Sequence, residues 1–174
     1  CEGFRVYRAG MCAGGFLGMD STVGADVVMG VPESGNVAAL GYSMESSIPY
    51  GTDFVKNSYV GRTFIKPKQS SRESAVRIKL NVLREAVNGK RVVMIDDSIV
   101  RGTTSARTIR LLRDAGATEV HMRVAAPPFV SLCYYGVDID AKENLIACKY
   151  TLEDIATQIG VEYLDYRSIV NARK

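Results

Sequence analysis

Charge of one sign is scarce in this sequence. Its 22 lysines and arginines face 19 acidic residues over 174 positions, for a formal net charge of +3, and the two signs are interleaved. A nucleic-acid-binding face needs a concentrated excess of cations, so no nucleic-acid partner is expected, whereas an anionic small molecule suits this mild surplus. Cysteine is scarce as well: Cys1, Cys12, Cys133 and Cys148 are far apart and form no CxxC pair. That excludes a disulfide framework and makes the reducing cytoplasm the expected compartment. No apolar run approaches the ~18–20 residues that span a bilayer, so no membrane partner is expected. Residues 9–19 are apolar and follow Arg5 and Arg8 much as a secretory leader would, but four glycines among them make a loop the expected structure. The nucleotide loops GxxxxGK[ST] and GxGxxG are both absent. So are internal repeats and low-complexity tracts. The single histidine, His121, falls in the middle of an expected strand rather than at its end, and is read as structural.

What is present is the composition of a globular chain, 47% hydrophobic and 24% charged, long enough to bury one sizeable core. Apolar β-branched runs alternate with stretches of helical period, the pattern of parallel strands joined by crossover helices. Residues 27–31 read as a buried strand. Gly35 opens a helix with Val37, Leu40, Gly41 and Met44 on one face, and residues 48–54 lead out of it. After a loop over residues 56–71, a longer helix is expected with Val76, Leu80, Leu83 and Val87 on one stripe, ended by Asn88-Gly89. Residues 91–96 form the clearest strand, four apolar residues closed by two carboxylates. A helix over residues 103–115 stops at Gly116, and a strand over residues 119–126 stops at Pro127-Pro128. Residues 133–137 are a further candidate strand. Thr151 with Asp154 marks a helix start, Ile155 and Ile159 give that helix its apolar side, and Gly160 closes it.

The chemistry concentrates in VVMIDDSIVRGTTS, residues 92–105. In an open parallel sheet ligands bind at the carboxyl ends of strands, which is where Asp96 and Asp97 fall. The turn beyond them carries what a phosphate needs. Gly102 allows close backbone approach, Ser98, Thr103, Thr104 and Ser105 offer hydroxyls, and the following helix presents free N–H groups. Two adjacent acids would repel phosphate, so they are expected to accept from sugar hydroxyls or to hold a magnesium ion. The competing reading is a surface turn and an ordinary helix cap. Capping requires one polar residue, however, and seven polar or glycine positions follow this strand.

That segment resembles the signature of type I phosphoribosyltransferases, which bind phosphoribosyl pyrophosphate with an acidic pair and a Thr/Gly-rich loop. Together with GVPESG (residues 30–35), KNSYVGRTFIKP (56–67), VRIKLN (76–81) and YGVDID (135–140), it is most similar to the glutamine phosphoribosylpyrophosphate amidotransferases, over residues 25–165. The resemblance implies an α/β fold of type I phosphoribosyltransferase kind, with a mostly parallel central sheet flanked by helices. It implies transfer of the phosphoribosyl group to ammonia, giving 5-phosphoribosylamine and pyrophosphate in de novo purine biosynthesis. It places Asp96, Asp97, Ser98, Ile99, Val100, Arg101, Gly102, Thr103, Thr104 and Ser105 on the substrate, and Ser34, Asp96 and Asp97 at the magnesium. Residues 56–67 resemble the family's closing loop, whose Lys56, Tyr59 and Arg62 are the candidate catalytic residues, with Gly61 as a hinge and Lys56 and Arg62 near the pyrophosphate. Arg72, Arg77 and Lys79 are further cations that could reach a polyanion, or simply a solvated helix face.

The family's glutaminase domain, which supplies the ammonia, is not represented in these residues, so full glutamine-dependent activity is not expected of them alone. Residues 1–24, headed by CEGFRVYRAG, read as the remnant of a linker from that domain, and residues 25–174 as the phosphoribosyltransferase domain. Some members carry a [4Fe-4S] cluster. Cys1 and Cys133 match two of its ligand positions, the other two falling beyond Lys174, while Cys12 and Cys148 match none and read as small buried apolar residues. The resemblance also implies a homo-oligomer inhibited by purine nucleotides. Two alternatives remain open: a salvage or orotate phosphoribosyltransferase, for which no base-recognition motif is evident, and a non-catalytic module that senses phosphoribosyl pyrophosphate.

Overall fold

A computed structural model describes residues 5–20, 23–52, 54–56, 80–131 and 142–167. Helix α1 (Val6–Asp20) precedes β1 (Val27–Gly30), α2 (Gly35–Ser46), β2 (Tyr50–Gly51) and β3 (Phe54–Lys56). Then come β4 (Leu80–Val82), α3 (Arg84–Val87), β5 (Arg91–Asp96), α4 (Thr103–Asp114), β6 (Glu119–Val124), two 3-10 turns (Lys142–Asn144 and Ile146–Cys148), α5 (Leu152–Ile159) and β7 (Tyr163–Tyr166). Strands β2-β1-β5-β6-β7 lie side by side in one sheet whose neighbours are all parallel, as the alternating pattern predicts.

Strand β5 is central, and its sequence explains why. Val92 and Met94 join Val27, Met29, Val120, Met122 and Leu164 on the face covered by Ile109 and Leu112 of α4 and Ile155 and Ile159 of α5. Val93 and Ile95 join Val28 on the opposite face, beneath Leu17 of α1 and Ala38, Ala39 and Tyr42 of α2. A strand covered on both faces has no solvent side, hence its unbroken apolar run. At the strand's amino end the Asp26 carboxylate takes hydrogen bonds from the Arg91 backbone N–H (2.9 Å) and guanidinium (3.0 Å), fixing β1 against β5 in the register Val27 to Val92. The guanidinium holds the Asp26 carboxyl below the usual carboxylate range. Helix α5 begins with the expected capping box: the Thr151 hydroxyl accepts from the Asp154 N–H, and the Asp154 carboxylate accepts from the Thr151 N–H.

Several expectations are corrected. The stretch 9–19 is not a loop but most of α1. Its glycines serve close packing against α2: a Cβ on Gly14 would stand 1.8 Å from the Ala38 carbonyl oxygen, and one on Gly41 2.1 Å from that of Met11. Small residues on two facing helices let the backbones approach further than side chains would allow. Helix α2 accordingly buries Ala38, Ala39, Gly41 and Tyr42; of the expected face of Val37, Leu40, Gly41 and Met44 only Gly41 is buried, and Met44 is exposed. The helix expected to carry Leu80, Leu83 and Val87 is short. Leu80–Val82 instead pairs antiparallel with β3, Val55 opposite Asn81, and Leu83 is exposed. Pairing with a distant strand has overridden a local helical period. Val76, and the candidate strand over residues 133–137, lie outside the described residues. Cys12 and Cys148 are exposed, not buried. Strand β7, which the sequence pattern does not reveal, occupies one edge of the sheet, with Leu164 and Tyr166 turned into the core.

Neighbouring glycines of α1 offer a contrast that tests the packing account. Gly14→Ala must push the two helices apart and is expected to cost about 1–3 kcal/mol in urea denaturation. At Gly15 a Cβ would have nothing within 4 Å of it. Substitution there by alanine should gain about 0.5–1 kcal/mol, because the helical backbone is then less free when unfolded. Equal effects at the two positions would refute the account.

Candidate functional site

The parallel sheet places the carboxyl ends of β1 and β5 side by side. From β1 the chain runs through residues 31–34 into α2, and from β5 through residues 97–102 into α4. The two turns meet at Gly35, where a Cβ would lie 2.4 Å from the Ile95 carbonyl oxygen and 3.4 Å from the Asp96 Cα. Only glycine lets α2 begin so close to the end of β5. The Val31 N–H donates to the Ile95 carbonyl (2.8 Å) and the Gly35 N–H to that of Val31 (2.9 Å), which closes the first turn against the second. Ser34, the expected magnesium-site residue, is exposed at the start of α2 and its side chain makes no capping hydrogen bond.

The two acids differ sharply in environment. Asp96 is 7% exposed and Asp97 lies on the surface. The Asp97 N–H donates to Asp96 Oδ1 (2.9 Å), and the Ser98 N–H to Asp97 Oδ1 (2.8 Å), so each carboxylate is oriented by the next backbone amide. Burial, and then the negative charge of Asp97, push the Asp96 carboxyl up to about 7. From the other side the chain leaving β6 donates the Ala125 N–H to the Asp96 carbonyl (2.9 Å) and the Ala126 N–H to that of Asp97 (3.0 Å).

Beyond the acids, the substrate residues expected from sequence divide by exposure. Asp97, Arg101, Thr103 and Thr104 are exposed, and Ser98 and Val100 half-buried. Ile99 and Ser105 are 2% and 3% exposed, so Ile99 anchors the turn in the core and the Ser105 side chain is enclosed at the start of α4. Gly102 has φ +75°, the left-handed conformation that favours glycine, and its own N-cap position carries no side-chain hydrogen bond. The first turn of α4 thus directs its amides toward the sheet's carboxyl edge, a ready site for an anion. Lys56 ends β3; Tyr59, Gly61, Arg62, Arg72, Arg77 and Lys79 lie outside the described residues, as do Cys1 and Cys133. His121 lies three register positions back from the Asp96–Val124 pair, with Nε2 3.3 Å from Glu119, and burial together with the Arg123 charge lowers its pKa. Among the described residues no three His, Cys, Asp or Glu side chains converge on one metal position. Gly35, Ala125, Ala126 and the later-arriving Ile146, whose N–H donates to the Val100 carbonyl (2.9 Å), shape the site although sequence reasoning gives none of them a role there. Glycine spacing is the one available signal, and only for Gly35.

The raised Asp96 pKa has a consequence for stability. The folded state retains a proton that the unfolded chain, with an ordinary value of 3.8, releases. Its contribution is full below that value and is lost as pH rises through about 7. Without metal or ligand, Asp96→Asn should therefore be more stable than the parent by roughly 1–3 kcal/mol at about pH 8, with the gain shrinking toward about pH 5. Thermal melts at the two pH values check this; a gain independent of pH would refute it.

The phosphoribosyl transferase domain family model matches residues 21–145. The amidophosphoribosyltransferase of Archaeoglobus fulgidus is 51% identical over 168 residues, covering 97% of this chain and 37% of that protein. That of Bacillus subtilis is 49% identical over 168 residues, covering 97% and 35%. A solved structure of glutamine phosphoribosylpyrophosphate amidotransferase from B. subtilis, complexed with ADP and GMP, matches with a TM-score of 0.87 at 49% identity, covering 98% of this chain and 37% of that one. A phosphoribosyltransferase from Corynebacterium diphtheriae, 19% identical with a TM-score of 0.50 over 91% of this chain, shares the fold. The chain spans little more than a third of the length of the amidophosphoribosyltransferases it matches. Since the family match takes in both turns at the carboxyl edge, this chain belongs to the phosphoribosyl transferase domain family.

Proposed function

We propose that the chain is the phosphoribosyl-transfer part of an amidophosphoribosyltransferase: it binds phosphoribosyl pyrophosphate and joins its sugar to ammonia, releasing pyrophosphate. The observation that carries this reading is the acid pair at the end of the central strand, leading within one short turn into the glycine-started α4. Similarity of about half the residues to amidophosphoribosyltransferases along 97% of the chain supports the choice of acceptor.

The proposed residue roles draw on the site's geometry and on the resemblance to the family. The turn over residues 98–105 receives the 5′-phosphate, with exposed Thr103 and Thr104 hydroxyls and the α4 amides as donors. Asp97, exposed and oriented, accepts from the ribose hydroxyls, and Asp96 lies behind it. Magnesium needs few protein ligands when a substrate supplies phosphate oxygens, and Asp96, Asp97 and Ser34 provide oxygens of the right type. When bound, it would neutralise the negative charge that gathers on departing pyrophosphate. Lys56, Tyr59 and Arg62 are proposed to cover the pyrophosphate and exclude water. Ammonia is itself a nucleophile, so no strong general base is required, in keeping with His121 lying back from the strand's end.

The same reading assigns residues 25–174 to the transferase domain, with residues 1–24 leading in from an ammonia-supplying glutaminase domain. It proposes a cytoplasmic homo-oligomer with purine nucleotides as inhibitors; for the nucleotides, the B. subtilis structure complexed with ADP and GMP is the supporting observation. Cys1 and Cys133 stand as two of four ligands of a [4Fe-4S] cluster in a complete enzyme. Among the described residues no helix is long and apolar enough to cross a membrane.

Incubation with phosphoribosyl pyrophosphate and magnesium, following pyrophosphate release, tests the assignment. Release is expected with ammonia and not with nucleobases. Turnover only with a nucleobase would indicate a salvage or orotate enzyme, and tight binding without turnover a sensor. In the same assay Asp97→Asn should weaken binding of the sugar substrate by about 10–100-fold, the range for losing a charged hydrogen-bond partner, while the melting temperature holds. Unchanged affinity would remove Asp97 from the site.

A further inference from the structure

Helix N-termini are ordinarily fixed by a side chain that caps the first free amides. At the start of α4 the N-cap is Gly102, which has no side chain, so the direction of the phosphate-facing amides must be set from outside the helix. The supports are the 3-10 turn Ile146–Cys148 and α5. The Ile146 N–H donates to the Val100 carbonyl at 2.9 Å. Its side chain, 7% exposed, lies under Gly102, where a Cβ would meet Ile146 Cδ1 at 2.7 Å and Ile159 Cγ2 at 3.4 Å. Leu145, wholly buried, roots this turn in the core, and the Cys148 thiol donates to the Val130 carbonyl (3.3 Å), tying the turn to the chain that leaves β6. That departing chain also holds the carbonyls of Asp96 and Asp97. One backbone segment after β6 thus grips the acids, while the Ile146 turn grips the residues that follow them.

We propose that Ile146 is a positioning residue for the phosphate-binding turn: through one backbone hydrogen bond and one methyl-bearing side chain it sets the angle at which Gly102 delivers the α4 amides to the substrate's 5′-phosphate. This rests on reading residues 98–105 as the phosphate site. Ile146 does not touch the ligand; it acts through Val100 and Gly102.

The test compares two equally modest truncations. Ile146→Val deletes Cδ1, the atom nearest Gly102. Ile155→Val deletes the same atom from another isoleucine of the same core cluster, 2% exposed, that is not among the closest neighbours of Gly102. Both should lower the melting temperature by similar amounts. Calorimetric titration of the chain with phosphoribosyl pyrophosphate and magnesium should show about a three- to tenfold loss of affinity for Ile146→Val and none for Ile155→Val. Deuterium uptake by residues 98–105 of the free protein should rise for Ile146→Val alone. Equal affinities in all three proteins, or equal losses in both variants, would overturn the positioning role. Failure of the unsubstituted chain to bind would overturn the phosphate reading instead, and the deuterium comparison would still decide whether Ile146 holds the turn.

Discussion

One constraint organises the fold: β5 is covered on both faces and ends in the carboxylate of Asp96, with Asp97 directly beyond it. Val92, Val93, Met94 and Ile95 have no exposed surface, and the next residue, Asp96, is nearly as enclosed. A strand that brings a charge to the limit of the core must satisfy it there. The chain does so with the backbone amide of its immediate neighbour, Asp97, and by leaving the Asp97 side chain in water. Everything at the carboxyl edge is arranged about that point: Gly35 draws α2 against it, the exit from β6 pairs with it, and Gly102 turns the chain away into α4.

The contrast within the acid pair bears on what the site can do. Two surface aspartates would both be ionised and would repel any phosphate nearby. Burial, and then the neighbouring Asp97 charge, make Asp96 reluctant to ionise, so the free site carries less negative charge near neutral pH than its composition suggests. Under the proposed function, a cation brought with the substrate would remove that reluctance. On the proposed reading, helix amides suited to an anion and carboxylates suited to a cation can therefore share one turn, because Asp96 is held back from its full charge in the free site.

Much of this is legible in the sequence. Residues 91–96 announce a central strand by being apolar without alternation, and the acid pair, turn glycine and hydroxyl run carry the resemblance to the family whose model matches residues 21–145. What is not legible has physical causes. The glycines of α1 look like loop punctuation until a second helix is there to be approached, and Gly14 has meaning only with Ala38 opposite it. Leu80 and Leu83 fit a helical spacing by coincidence of a short window, and only the presence of β3 decides for a strand. Ile146 carries no chemical signature at all. An isoleucine comes to support the turn after β5 solely by where the fold delivers it, and that delivery spans 44 positions of sequence between Gly102 and Ile146.

Glycine serves the site in two opposite senses, and that opposition explains how the turn can be both open and firm. At Gly35 the missing side chain allows two backbones to meet, which fixes the β1 turn against β5. At Gly102 the missing side chain leaves a left-handed residue with φ +75° and no cap of its own, a point where the chain would otherwise be free to pivot. Ile146 and Ile159 fill the space that a side chain there would have occupied. The first turn of α4 thus presents exposed Thr103 and Thr104 to solvent and is supported from the core side, where nothing polar is required. A side chain at position 102 could not supply this support without strain, since the backbone conformation that aims the helix is one that L-residues rarely adopt. Support from a distant apolar residue is the solution that leaves the exposed surface of this turn, the proposed phosphate site, to backbone and hydroxyl groups.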